Sequence, residues 1–499
     1  MTRILWRVNR NLPHRRQRYG TVLLLVLFLF LPAPVPAQPD RSHPPVLGSP
    51  PRLALPALQH LTLSNGVPVL LLERHAVPLV QINLIVRAGS LMDPPGKQGL
   101  ADMTAAMLME GAAHRTSLEL ADAIDFLGVQ ISSESGRHTM GVNLHTPLSK
   151  LDSAIVLMAD IVCRPTFPPE DLKRLRKERL TEMMQGRDDP DYIASVAFGH
   201  ALYGAHSYGV PKLGTDQGVR AVTTADFLTF HRKYIVPANA TIIVVGDVTP
   251  VTILPRLERA FGSWKGSGAI PPPAPPIVPT AGRTLILIDK PGAEQSVIRI
   301  GRVAAPRLTD DYDAMTVMNT ILGGSFTSRL NQNLRERHGY TYGASSGFDF
   351  RPLAGPFIAS SSVQTAVTDK ALSEFLKEFQ RMLVMVPDSD LSRAKNYMAF
   401  RFPGGFETVS QIANRLEELV IYGLPDDYFD GAIDRILAVT KGDVLRAAEK
   451  YIRMENLAFV IVGDLATIAD SVKSLDIAPA TVLTVDDALG PLQHGASGE

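Results

Sequence analysis

The chain is short of most things that would make its chemistry easy to name. Among 499 residues there is one cysteine, Cys163, so no internal disulfide can form and a thiol-rich metal site is excluded. Two tryptophans and an equal number of acidic and basic residues, 50 of each, argue against a nucleic-acid surface. None of the 12 histidines has another three to five residues away, so no helical histidine pair exists to hold a metal. After residue 37 no apolar run is long enough to cross a bilayer.

The first 37 residues are different in kind. Six arginines and no acid, from Arg3 to Arg18, precede an apolar run from Val22 to Leu31 and then "PAPVPA". That order is expected of a secretory signal peptide cleaved after Ala37, leaving a mature chain that is periplasmic or secreted and not membrane-bound. Cleavage leaves 44 basic against 50 acidic residues. Cys163 then reads as a buried free thiol.

The chain is also written twice. Residues 222–247, "VTTADFLTFHRKYIVPANATIIVVGD", and 439–464, "VTKGDVLRAAEKYIRMENLAFVIVGD", are identical at 11 of 26 positions without a gap. In both, a threonine followed three residues later by an aspartate predicts a helix cap, and a β-branched strand closes on Gly-Asp. Two homologous halves follow. Between them "SGAIPPPAPPIVPTAG", 267–282, with six prolines, predicts a stiff extended spacer. The expected division is signal peptide 1–37, first domain 38–266, linker 267–283 and second domain 284–499. Strand patterns such as "LVQINLIVRAG" and "SVIRIGRVA" are followed by pairs of helices. They predict an α+β fold in which each domain is an antiparallel-rich sheet with helices packed on one face.

Four segments carry a resemblance. "VRAGSLMDPPGKQGLADM", "SGRHTMGV", "DKPGAEQSVIRIG" and "GGSFTSRLNQNLRERHGYTYG", in this order, resemble the zinc metallopeptidases with the inverted H-x-x-E-H motif, the family of pitrilysin, insulin-degrading enzyme and the mitochondrial processing peptidase. In active members the helix after the G-L-A turn carries two histidines four apart and a glutamate base, and a later helix adds a glutamate ligand. The resemblance places Asp102 at the first ligand, Ala105 at the base, Ala106 at the second ligand and Glu182 at the last. A methyl group neither coordinates a metal nor takes a proton, so the zinc site is degenerate and this chain is expected to bind no metal.

The second half keeps what the first has lost. The resemblance matches Arg335 to an arginine that holds a substrate carbonyl and Tyr342 to a tyrosine that donates to the oxyanion of the scissile bond. Tyr340, two residues earlier, competes for the tyrosine's role. The family also binds peptide as an added strand, which here would pair with "VQISSES" at Ser132, Ser133 and Glu134.

The expectation is therefore a zinc-free subunit of a heterodimeric peptidase, whose homologous partner carries H-x-x-E-H and the zinc and acts on peptides. Two alternatives are a non-catalytic scaffold or peptide binder, and an autonomous hydrolase with an unrecognised site.

Overall fold

The computed structural model describes residues 48–266, 268, 275–278 and 282–491. The expected signal segment and most of the proline-rich spacer lie outside the described residues. The described residues from Pro50 onward belong to one compact unit.

Within it stand two six-stranded sheets. The first contains β1 (Gln59–Thr62), β2 (Pro68–Glu73), β3 (Leu79–Val86), β4 (Gln130–Ser135), β5 (Met140–Pro147) and β6 (Ala240–Gly246), in the spatial order β1-β2-β6-β3-β5-β4. The second contains β7 (Thr284–Asp289), β8 (Gln295–Val303), β9 (Thr341–Phe348), β10 (Pro356–Gln364), β11 (Ala458–Gly463) and β12 (Ala480–Leu483), in the order β9-β10-β8-β11-β7-β12. Read from opposite ends, five strands of each sheet follow one topology: β2-β6-β3-β5-β4 matches β7-β11-β8-β10-β9. In both, the strand closing the internal repeat pairs parallel with the domain's first long strand, β6 with β2 and β11 with β7. The other pairings among these strands are antiparallel.

The duplicated helices begin as their sequences require. Thr223 with Asp226 and Thr440 with Asp443 each form a reciprocal capping box. Each helix ends on a tyrosine, Tyr234 or Tyr451, buried at 6% or 5% exposure against its own domain.

Each domain packs its own helices on one face of its sheet, giving two large apolar cores. The opposite faces are closed by exchange. Helix α3 (Pro190–Tyr203), from the first half, lays Ile193, Ala197, Phe198 and Leu202 on Ile288, Val297, Val460 and Val462 of the second sheet. Helix α4 (Val409–Tyr422), from the second half, lays Val409, Ile412, Ala413 and Leu416 on Leu70, Leu72, Ile85, Ile243 and Val245 of the first. This explains why β2, β6 and β11 read as continuous apolar runs without alternation: both faces are covered. Gly301 in β8 is the point of closest approach, since a Cβ there would lie 2.9 Å from the Phe198 ring and 1.9 Å from the Phe357 carbonyl oxygen. Among the described residues no helix is long and apolar enough to cross a membrane.

Candidate functional site

In the first half the site begins at a turn. Gly99 sits at φ +101°, where a side chain would also strike the Leu213 carbonyl at 2.6 Å, and opens helix α1 (Leu100–Met107). Asp93 caps this helix from the preceding loop, its carboxylate accepting from the Gly99 and Ala101 amides at 2.7 and 2.8 Å. Burial pushes the Asp93 carboxyl up to about 7 against these two bonds, and neighbouring Asp102 adds to the rise.

Asp102 follows in the first turn, buried at 8% exposure. Ala105 is 2% exposed and Ala106 packs against the first core, so both methyl groups serve as filling. Across from α1 runs the long helix α2 (Pro169–Gly186), which carries Glu182. Asp102 and Glu182 are brought together, but by a residue that sequence reasoning passed over. The Arg179 guanidinium lies between them, with Nη2 2.8 Å from Asp102 Oδ2 and Nη1 2.9 Å from Glu182 Oε2. Lys212 Nζ stands 3.9 Å from Asp102 Oδ1. The Asp102 contact is an ion pair without aligned hydrogen-bond geometry, for Asp102 Oδ2 and Arg179 Nε are both buried without a hydrogen-bond partner. Burial raises the Asp102 carboxyl above its ordinary range, Arg179 and Lys212 pull it back, and Glu182 opposes them.

These residues do not fit a zinc ion. The family's zinc site needs three protein donors and an open position. Here two of the four motif positions hold methyl groups, and an arginine occupies the space between the remaining carboxylates. Among the described residues no group of three or more histidine, cysteine, aspartate or glutamate side chains could hold a metal. Two histidines of the first half are engaged locally: His231 Nε2 meets the Val162 carbonyl at 2.8 Å, and His138 bonds Tyr208. Cys163 is a partly buried thiol whose pKa is pushed up to about 12 by burial, so it is not a nucleophile.

Strand β4 is the edge of the first sheet, paired with β5 alone, so one row of its backbone groups is open. It lies beside α1. Ser132 and Glu134 are exposed, Ser133 is partly buried, and Asn143 Nδ2 donates to Glu134 at 3.3 Å.

The second half is built differently. Between helix Tyr312–Leu322 and β9, residues Asn331–Arg337 form a π-helix, its wide turns seen in the His338 amide bonding the Asn333 carbonyl at 3.1 Å. Such helices are rare and concentrate at functional sites. Asn331, Asn333 and Leu334 face inward. Asn331 Nδ2 donates to the Phe326 carbonyl at 2.7 Å and Asn333 Nδ2 to Glu378 at 2.7 Å, which ties the π-helix to the loop before it and the helix beneath. Arg335 faces outward, its guanidinium 4.5 Å over the Phe326 ring and 3.4 Å from Glu336.

Tyr340 and Tyr342 are then separated by backbone geometry. The β9–β10 register shifts between Thr341 and Ala344, where two residues, Tyr342 and Gly343, oppose the single Ser362 in a β-bulge. Tyr342 is thrown outward and is 91% exposed. Tyr340 precedes the strand, packs on the second core and stacks on His338 at 4.9 Å between ring centroids. The alternation expected of a regular strand, which would have put both rings on one face, is broken by this bulge. Ser325 Oγ donates back to the Thr320 carbonyl at 3.1 Å, and the π-helix starts without a side-chain cap.

Two signals for what was missed lie in the sequence: Arg179 stands three residues before Glu182, one turn away on the same face, and Gly343 follows Tyr342.

Comparison with known proteins identifies both halves of the chain. Residues 69–215 match the insulinase family, peptidase family M16, and residues 221–398 match the peptidase M16 inactive domain. An uncharacterised zinc protease of Streptomyces coelicolor is 25% identical over 419 residues, covering 82% of this chain and 90% of its own length. A non-peptidase homologue of Helicobacter pylori is 22% identical over 415 residues, covering 82% and 94%. Among solved structures, the peptidase M16 inactive domain from Pseudomonas fluorescens has a TM-score of 0.76 at 26% identity, covering 81% of this chain and 97% of that one. The periplasmic protease PqqL of Escherichia coli shares the fold at TM-score 0.70 and 17% identity, with this chain spanning half its length. The chain belongs to the M16, pitrilysin-like peptidase family and resembles that family's inactive subunits.

Proposed function

We propose that the chain is the zinc-free subunit of a heterodimeric M16 peptidase and that it supplies Arg335 and Tyr342 to a homologous partner carrying H-x-x-E-H. The observation that carries this reading is the contrast between a closed first site and a presented second one. Asp102 and Glu182 are neutralised internally by Arg179, whereas Tyr342 stands at a bulge with nothing bonded to it on a frame fixed by Asn331 and Asn333.

In this reading the partner holds the metal, its ligands and the base. A peptide lies extended across the two subunits. The Tyr342 hydroxyl donates to the oxygen of the scissile carbonyl as it becomes an oxyanion, and the Arg335 guanidinium holds a neighbouring backbone carbonyl in register. The open edge of β4 at Ser132, Ser133 and Glu134 is a second place for a peptide strand, bound through main-chain groups. The leader-like first 37 residues support a periplasmic or secreted location. A pairing of this kind buries on the order of 2,000 Å² or more.

Mixing the purified chain with a homologous H-x-x-E-H subunit encoded beside it tests the reading. Zinc-dependent cleavage of unfolded peptides by the mixture, absent from this chain alone, is expected. A scaffold or peptide-binding role is the second reading, favoured by the non-peptidase homologue among its relatives. Full activity of the partner without this chain would establish that role instead.

A further inference from the structure

We propose that Arg179 is a fixed internal cation standing where the family holds its metal, and that it shuts the degenerate site against divalent ions. The inference goes beyond the heterodimer reading and does not depend on it, because it concerns this chain alone.

Three observations meet at this point. The guanidinium contacts both surviving carboxylates at 2.8 and 2.9 Å, one on α1 and one on α2, so a single side chain joins the two helices that a metal would otherwise clamp. The Asp102 end is enclosed, with the Asp102 side chain 10% exposed and that of Arg179 22% exposed. Finally, two carboxylates with no third donor form too poor a set to displace a covalently attached cation already seated between them. A divalent ion entering would have to expel Arg179 and leave its charge, only 22% exposed, without either carboxylate partner. With the guanidinium present, Asp102, Glu182 and Arg179 together carry a net charge of minus one, and Lys212 at 3.9 Å from Asp102 lowers the remaining attraction for a second cation.

The consequence is that restoring the missing donors is insufficient. The variant D102H/A105E/A106H rebuilds the motif and, with Glu182, supplies three ligands and a base. With Arg179 in place the site stays closed; adding R179M opens it.

The test is equilibrium dialysis of the full chain against about 10 µM zinc at pH 7.5, with metal content read per molecule by elemental analysis. The wild type and the rebuilt variant are expected to hold under about 0.1 zinc per chain, and the rebuilt variant with R179M about one. One zinc bound by the rebuilt variant with Arg179 retained overturns the proposal. So does the absence of zinc from both rebuilt variants, since something other than Arg179 would then close the site. Should the fourfold variant fail to fold, the pair R179Q and D102N decides in the otherwise native chain. The summed melting-temperature losses of the two single variants must exceed the loss of the double variant, because each single change removes the partner of the other; additive losses overturn the role. Both readouts are independent of any partner subunit.

Discussion

The two halves share a topology down to the strand order, and they differ in where their charged and polar groups end up. In the first half an aspartate, an arginine and a glutamate at the motif's metal position pair as ions with one another, under a helix whose other motif positions are methyl groups. In the second half a π-helix and a bulge hold an arginine and a tyrosine outward, with Arg335 resting on Phe326 and Tyr342 touching no partner. In the first half the carboxylates left at the motif positions are held by a cation from the same chain. A fold keeps exposed polar groups on irregular backbone only at sites where that geometry has a use.

The comparison is broken most sharply at Tyr342. In the reconstituted pair, Tyr342→Phe is expected to lower kcat by about 100- to 1000-fold, the usual consequence of losing one oxyanion donor. Because the ring is exposed, the chain's own unfolding free energy should move by less than about 0.5 kcal/mol. An unchanged kcat would remove the second half from the chemistry. Arg179→Met should do the reverse. It strands Asp102 in a poorly solvated place, so denaturant unfolding should show a loss of about 2–3 kcal/mol while the rate of the pair stays within about threefold.

A smaller effect sharpens the account of how α4 covers the first sheet. Glu417 sits at that seam, accepting from Asn83 at 2.6 Å, and burial pushes its carboxyl up to about 7, with Glu134 on β4 adding to the rise. The folded protein therefore holds a proton that the unfolded chain has released. Glu417 contributes stability that is fully present below its ordinary carboxylate range and lost as pH rises through about 7. Glu417→Gln should stabilise the chain by about 1 kcal/mol at pH 8 and leave it unchanged near pH 4.5. Asp93, also pushed up to about 7, keeps part of the slope in the variant. The smallest effect is expected at Tyr340. Its ring is already committed to His338 and the core, so Tyr340→Phe should alter kcat by less than about threefold, and a loss as large as that of Tyr342→Phe would reassign the donor.

Much of this was readable before any coordinates. The repeat placed β6 and β11, and the threonine–aspartate pairs placed the helices before them, because capping and strand burial are local and periodic. The emptied motif was equally plain, since Ala105 and Ala106 lack donor atoms in any conformation. The exchange of α3 and α4 was not legible. Their apolar faces say only that they are covered, and the sheet they cover lies about 100 to 350 residues away in sequence. Arg179 looked like one basic residue among many on a charged helix, and only the packing of α2 against α1 sets it between two carboxylates. The π-helix and the bulge at Tyr342 were hidden for another reason. An extra residue in a turn or a strand leaves composition and period almost unchanged, yet it decides which way a ring points.

The proposed function requires a first half with no place for a metal, so that hydrolytic power comes from another chain. The most direct measurement is the zinc content of the purified single chain, taken together with its cleavage of an unfolded peptide. We predict less than about 0.1 zinc per molecule and no cleavage above background. One tightly held zinc per molecule with unaided digestion of the peptide would contradict it.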